Sequence, residues 1–189
     1  MPDRELGGTL LRIAREAIGA EFGLRGRSMG DHEALDRRGA TFVTLLLDGE
    51  LRGCIGSLMP RRPLGRDVRA NAVAAAFRDP RFSPLAAAEF ETTSIEVSLL
   101  SPCERVRLAD EEHLFSQLRP GIDGLIIEYG RRRATFLPQV WEALAEPRQF
   151  VAALKRKAGL PADFWSTRVN VSRYSVTKWK ETEFLSVQA

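Results

Sequence analysis

An Asp48-Gly49 pair between two apolar runs, Thr41 to Leu47 and Leu51 to Ile55, most narrows what this chain can fold into. Both central residues of a two-residue type I′ turn need positive φ. Asp-Gly meets that need at little steric cost, so the segment reads as a β-hairpin over about residues 41 to 58. A turn at 48 and 49 pairs Leu47 with Glu50, Leu45 with Arg52 and Val43 with Cys54. Alternation then puts Phe42, Leu46, Leu51 and Ile55 on one face, the expected core. The other face carries Val43, Leu45, Leu47, Glu50, Arg52 and Cys54, and its mixture of apolar walls, charge and a thiol has the composition of a cleft.

The second strand of this hairpin reads Leu51-Arg52-Gly53-Cys54-Ile55-Gly56. Glycine inside a strand marks a bulge, a bend or the close approach of another backbone or a ligand, and here two glycines bracket the cysteine. A thiol is a nucleophile only as thiolate, and a guanidinium nearby, such as that of Arg52, favours the thiolate. Cysteine is also a small, frequently buried hydrophobe, so a chemical and a structural role for Cys54 both stand.

Periodicity organises the remaining chain. Leu6, Leu10, Ile13, Ala14, Ala17 and Ile18 form one helical stripe, giving an N-terminal helix that ends near Gly19 to Gly23. Residues 24 to 39, polar and glycine-punctuated, form the longest expected loop and contain His32. After Pro60 and Pro63 a helix is predicted over 64 to 77, with Leu64, Val68, Ala72 and Ala75 on its buried stripe. Asn71 falls on that stripe, where a polar group needs partners; it either pins the helix to a loop or points into the cleft. Asp79-Pro80 ends the helix, and Asp79 to Pro84 becomes a rigid loop in which Asp79 and Arg81 either pair or contact a ligand. A further strand at 95 to 100 alternates Ile95, Val97 and Leu99 with Glu96 and Ser98, so Glu96 reaches the cleft if this strand lies beside that of Cys54.

Further along, Asp110 caps a short helix to Leu118, and 124 to 129 with 132 to 137 form another hairpin. Pro138 opens a short helix, and Pro147 opens a longer one that stops at Gly159. The order hairpin, proline, helix thus occurs twice. The tail, with Trp165, Val169, Val171, Tyr174, Val176 and Trp179, reads as extended structure closing the sheet. These elements predict an α+β fold whose mainly antiparallel sheet is built from hairpins with flanking helices on one side. At 189 residues the expectation is a single domain over 1–189, with room for a small sub-lobe.

The ordered set LRGCIG, Arg62-Pro63-Leu64, Asn71-Ala72, Asp79-Pro80-Arg81-Phe82, Ile95-Glu96-Val97-Ser98, Gly121-Ile122-Asp123-Gly124-Leu125, Phe136-Leu137-Pro138-Gln139-Val140-Trp141 and Lys157-Ala158-Gly159-Leu160 resembles the AMMECR-type domain. That family is also called AmmeMemoRadiSam system protein A. The resemblance runs in order along nearly the whole chain. It implies a compact α+β domain, frequently encoded beside a Memo-type protein and a radical-SAM protein, which are the implied partners. It carries over no settled activity.

The chemistry legible in the residues is partial. A Cys-His pair would need His32 or His113, the only histidines, and neither belongs to a motif of the family. By strand parity Glu96 is the best alternative base, so Cys54, Arg52 and Glu96 are the candidate catalytic residues, and Asn71, Asp79 and Arg81 the candidate substrate contacts. Two cysteines and two histidines, scattered from 32 to 113, lack zinc-site spacing, and there is no three-cysteine run for an iron–sulfur cluster, so no cofactor or metal is expected. Any such cluster would belong to a partner. A net charge of +3 with 28 basic against 25 acidic residues makes nucleic acid the least supported partner. No apolar run approaches the roughly 20 residues that span a bilayer, and the start lacks a signal peptide's pattern, so a cytoplasmic protein without membrane partners is expected. Two readings lead: an enzyme or small-molecule-binding protein with a cleft at Cys54, and a non-catalytic partner module.

Overall fold

The computed structural model describes residues 3–26 and 32–185. In chain order the elements are α1 (Arg4–Glu21), a 3-10 turn (Glu33–Asp36), β1 (Arg38–Gly39), β2 (Thr41–Leu47), β3 (Glu50–Gly56), β4 (Arg62–Pro63), α2 (Leu64–Phe77), α3 (Ala87–Phe90) and β5 (Ser94–Leu100). There follow β6 (Glu104–Arg105), α4 (Glu111–Gln117), β7 (Gly124–Tyr129), β8 (Arg132–Phe136), a 3-10 turn (Pro138–Glu142), α5 (Pro147–Lys157), β9 (Asn170–Tyr174), β10 (Val176–Lys180) and α6 (Thr182–Leu185). They divide into two compact units, Met1–Leu100 with Thr177–Ala189, and Ser101–Val176. Of the loop expected at 24 to 39, residues 27–31 lie outside the described residues.

In the first unit α1 is capped by Asp3, whose carboxylate accepts the Leu6 N–H at 3.0 Å. Its stripe of Leu10, Ile13, Ala14, Ala17 and Ile18 packs with Val68, Ala72 and Ala75 of α2 over Val43, Leu45, Ile95 and Val97 of the sheet. Each fully buried aliphatic side chain of this kind contributes about 1.5–3 kcal/mol. The sheet order is β10-β5-β2-β3, and β2 pairs antiparallel with both β3 and β5. β3 therefore ends the sheet.

The turn forms as predicted, with φ of 53° at Asp48 and 84° at Gly49. The expected register does not hold beyond it. Leu47 faces Glu50 and Leu46 faces Leu51, but the pairing then shifts, so that Leu45 faces Gly53, Thr44 faces Cys54 and Val43 faces Ile55. Arg52 is the extra residue of a β-bulge. The expected core face is corrected as well: Val43 and Leu45 are the buried residues of β2, whereas Phe42 and Leu46 are half-buried and Leu51 is exposed. Because β2 is apolar on both faces, alternation left its orientation open, and packing against α2 decided it. Gly53 lies where that helix meets the strand, since a Cβ there would come within 2.2 Å of the Ala75 carbonyl oxygen.

The second unit has the sheet order β6-β9-β7-β8, with β7 antiparallel to both of its neighbours. Its core joins Leu125, Ile127 and Val171 to Phe150 and Leu154 of α5, and Trp141 stacks on Phe150 at a centroid distance of 3.8 Å. The motif at 121 to 125 has a structural basis. The Asp123 carboxylate accepts from Arg119, its carbonyl accepts the Trp141 indole N–H at 2.7 Å, and Gly124 leaves room for the Tyr174 ring, which a Cβ would approach to 2.4 Å. Burial pushes the Tyr174 phenol up to about 12.

The tail does not close a single sheet. β9 pairs within the second unit, whereas β10 joins β5 of the first. Each unit contains one of the two hairpin, proline, helix runs, and in each the hairpin's second strand, β3 or β8, ends the sheet.

Candidate functional site

The bulged end strand gathers most of the motif residues. At Cys54 the backbone points away from β2, and its N–H donates to Asp79 Oδ2 at 2.8 Å while its carbonyl accepts from Arg81 Nη2 at 3.2 Å. Asp79 and Arg81 are joined by Nε to Oδ1 at 2.9 Å and Nη2 to Oδ2 at 2.7 Å, and the Arg81 N–H adds a third bond to Oδ1 at 3.1 Å. This pair supplies the acceptor and donor that a neighbouring strand would offer, and so covers the sheet edge at one residue. Asp79 keeps only 2% of its side chain exposed. The Arg81 guanidinium, with help from the Cys54 N–H, holds its carboxyl far below the usual carboxylate range against the opposing effect of burial, and the same contact raises Arg81.

Arg52 is committed elsewhere. Freed from the ladder by the bulge, its guanidinium grips Glu89 of α3 in a bidentate pair, Nε to Oε1 at 3.0 Å and Nη2 to Oε2 at 2.9 Å. It also donates to the carbonyls of Ser83 and Pro84. Arg52 and the Ala86 N–H hold the Glu89 carboxyl below its ordinary value. The Phe82 ring lies against both guanidinium groups, with centroid distances of 5.9 Å to Arg52 and 5.4 Å to Arg81. These contacts fasten the 79–90 loop along β3.

The half-buried Cys54 sulfur accepts a hydrogen bond from Thr44 Oγ1 at 3.2 Å. Thr44 faces Cys54 on one side and Glu96 on the other, so β2 separates the two strands whose adjacency was the condition for Glu96 to reach the cleft. Glu96 forms ion pairs with Lys178 at 3.1 Å and Lys180 at 3.6 Å, both on β10. Thr44 and Glu89 escaped the sequence reading because their parts depend on the bulge and on the return of the loop. Only a known register would have revealed Thr44.

Asn71 pins α2. Its Nδ2 donates to the Thr41 carbonyl at 2.9 Å and to Asp67 Oδ2 at 2.9 Å. The Asp67 carboxylate also accepts from the Thr41 N–H, Ser57 Oγ and Arg62 Nε, at 2.8, 2.8 and 2.9 Å. This buried network ties both ends of the β2–β3 hairpin to one helix face. The place of Asn71 on the buried stripe was legible, but its partners were not.

The histidines take part in other contacts. His32 meets Asp3 at 3.4 Å and accepts the Ala34 N–H, and the ring of His113 accepts the Ala109 N–H within the second unit. Among the described residues no group of histidine, cysteine and carboxylate side chains could hold a metal ion. Among the same residues no helix is long and apolar enough to cross a membrane. The motif surface thus offers a thiol beside a hydroxyl donor, framed by carboxylates that are each already paired with arginine.

A family model described as AMMECR1 matches residues 11–179, which run through both units. The chain belongs to the AMMECR1 family. A relative from Methanothermobacter thermautotrophicus is 38% identical over 189 residues, covering 94% of this chain and 95% of its own. A relative from Sulfolobus acidocaldarius is 37% identical over 186 residues, covering 94% and 82%. The crystal structure of the uncharacterized protein PH0010 from Pyrococcus horikoshii superposes with a TM-score of 0.77 at 32% identity, covering 96% of this chain and 93% of that one. The names of these AMMECR1-type proteins carry no activity, ligand or partner.

Proposed function

We propose that this AMMECR1-family chain is a non-catalytic binding module. Its recognition surface is the end strand β3 with the 79–84 loop, and its partner is a Memo-type or radical-SAM protein. The observation that carries this reading is the internal pairing of the three motif arginines: Arg52 with Glu89, Arg81 with Asp79 and Arg62 with Asp67. A catalytic cysteine needs a base within hydrogen-bond reach, and the sulfur's hydrogen bond is to the Thr44 hydroxyl. A loop already fastened to the strand loses little freedom on docking, which favours association. Leu51 is 42% exposed beside this surface and offers an apolar contact.

The test is titration calorimetry of the chain against a purified Memo-type protein and a purified radical-SAM protein. Binding to one of them, lost in Leu51→Glu, is expected; no heat with either would overturn the reading. A second reading, thiol chemistry at Cys54, rests on the hydroxyl donated to its sulfur, and is tested by the alkylation experiment described below.

A further inference from the structure

The second unit has a cleft of about 410 Å3 that is lined by none of the motif residues and owes nothing to the binding-module reading. One wall is the segment from Arg105 to Ala109, and the other is Trp165 to Thr167 with Val169. The volume falls within the range of small-molecule sites.

The polar groups lining it have one character. Among the described residues, Arg107 is exposed with no partner for its guanidinium, and the Trp165 indole N–H and Thr167 hydroxyl are also unpaired. Ser166 Oγ accepts the Arg168 N–H at 3.3 Å, which leaves its own proton to donate. Arg105 bonds Asn170 Oδ1 and retains further donors. No carboxylate lines the cleft, and the acids that flank its first wall are occupied: Glu104 pairs with Arg173 at 3.4 Å, Asp110 caps α4 through the His113 N–H, and Glu111 pairs with Lys155. Behind Trp165, Lys155 Nζ lies 5.9 Å from the ring centroid and is held by Glu111 and the Ala162 carbonyl, so the indole is backed on that side.

We infer that this cleft binds a small phosphorylated molecule with a planar ring, of the mononucleotide class. The Arg107 guanidinium, with the Ser166 and Thr167 hydroxyls, meets the phosphate, and Trp165 stacks on the ring. Arginine forms bidentate, charge-assisted hydrogen bonds to phosphate, and indole offers a broad stacking face.

The test is equilibrium dialysis of the full chain with AMP, repeated with adenosine and with inorganic phosphate, alongside NMR of the Trp165 indole N–H assigned through Trp165→Phe. AMP should bind at least about tenfold more tightly than either fragment, and its addition should move the Trp165 resonance. Arg107→Ala should weaken AMP binding about tenfold or more while leaving adenosine unchanged, whereas Arg131→Ala, outside the cleft, should change neither. AMP held no better than adenosine or phosphate, an unmoved Trp165 resonance, or Arg107→Ala without effect would each overturn the proposal. The resonance is read on the unaltered Arg107 chain, so the test survives a poorly folding variant.

Discussion

Asp79 takes the place of a strand partner for Cys54: its Oδ2 accepts the Cys54 N–H at 2.8 Å, on the side of β3 that no strand among the described residues covers. An open edge presents unpaired backbone groups that invite pairing with other chains, and one carboxylate backed by Arg81 removes that invitation at the centre of the motif. The Asp-Pro-Arg sequence suits the task. Proline stiffens the loop, and the two-residue spacing lets both side chains reach the backbone of one residue, Cys54.

Asp79→Ala should cost about 3 kcal/mol, because it leaves the Cys54 N–H unsatisfied and strips Arg81 of its partner. Asp79→Asn, which retains an acceptor, should cost less. Urea unfolding measures both, and a loss for the alanine variant within the scatter of ordinary surface substitutions would show that the clamp contributes little.

The same carboxylate sets an acid limb. Asp79 and Glu89 titrate below their ordinary values of 3.8 and 4.5 in the folded chain, so below those values the unfolded chain binds more protons and stability rises with pH. Their contribution is therefore fully present above about 4.5 and is lost as pH falls through the folded values. Melting temperatures from pH 6 downward should fall less steeply for Asp79→Asn than for the native chain. Parallel curves would remove Asp79 from the account.

Gly53→Ala is expected to be damaging despite its size. The added methyl would meet the Ala75 carbonyl at 2.2 Å, and a helix backbone does not yield as a side chain does, so a loss of about 3 kcal/mol is expected. A melting temperature matching the native chain would mean that α2 can lift from the strand.

For Cys54, the hydroxyl and not the guanidinium is the group to remove. Thr44→Val takes away the hydrogen-bond donor to the sulfur and should slow alkylation of Cys54 several-fold, whereas Arg52→Ala should change that rate little, because Arg52 is bound to Glu89. Cys103, exposed but with its thiol pushed up by partial burial, provides the internal comparison in the same mass-spectrometric time course. A rate that follows Arg52 and not Thr44 would restore the activation expected from sequence.

What was legible in the sequence is what local geometry controls. The Asp48-Gly49 turn follows from the positive φ that both positions adopt, the 64 to 77 helix from its stripe and the residues that bound it, and the α4 start from Asp110. The tertiary structure alone decided the core face of β2, because Phe42 and Leu46 are as apolar as Val43 and Leu45 and only the position of α2 distinguishes them. It also decided the bulge at Arg52, which exists only relative to a partner strand and turns the side chains before and after it out of simple alternation. From that one inserted residue follow Glu89 as the partner of Arg52 and Thr44 as the neighbour of the Cys54 sulfur, while the strand order, with β2 between β3 and β5, separates Glu96 from Cys54 by a full strand. Turns and helix ends depend on residues a few positions apart. Register across a sheet depends on which strands meet, and those are set by burial over distances that no local pattern records.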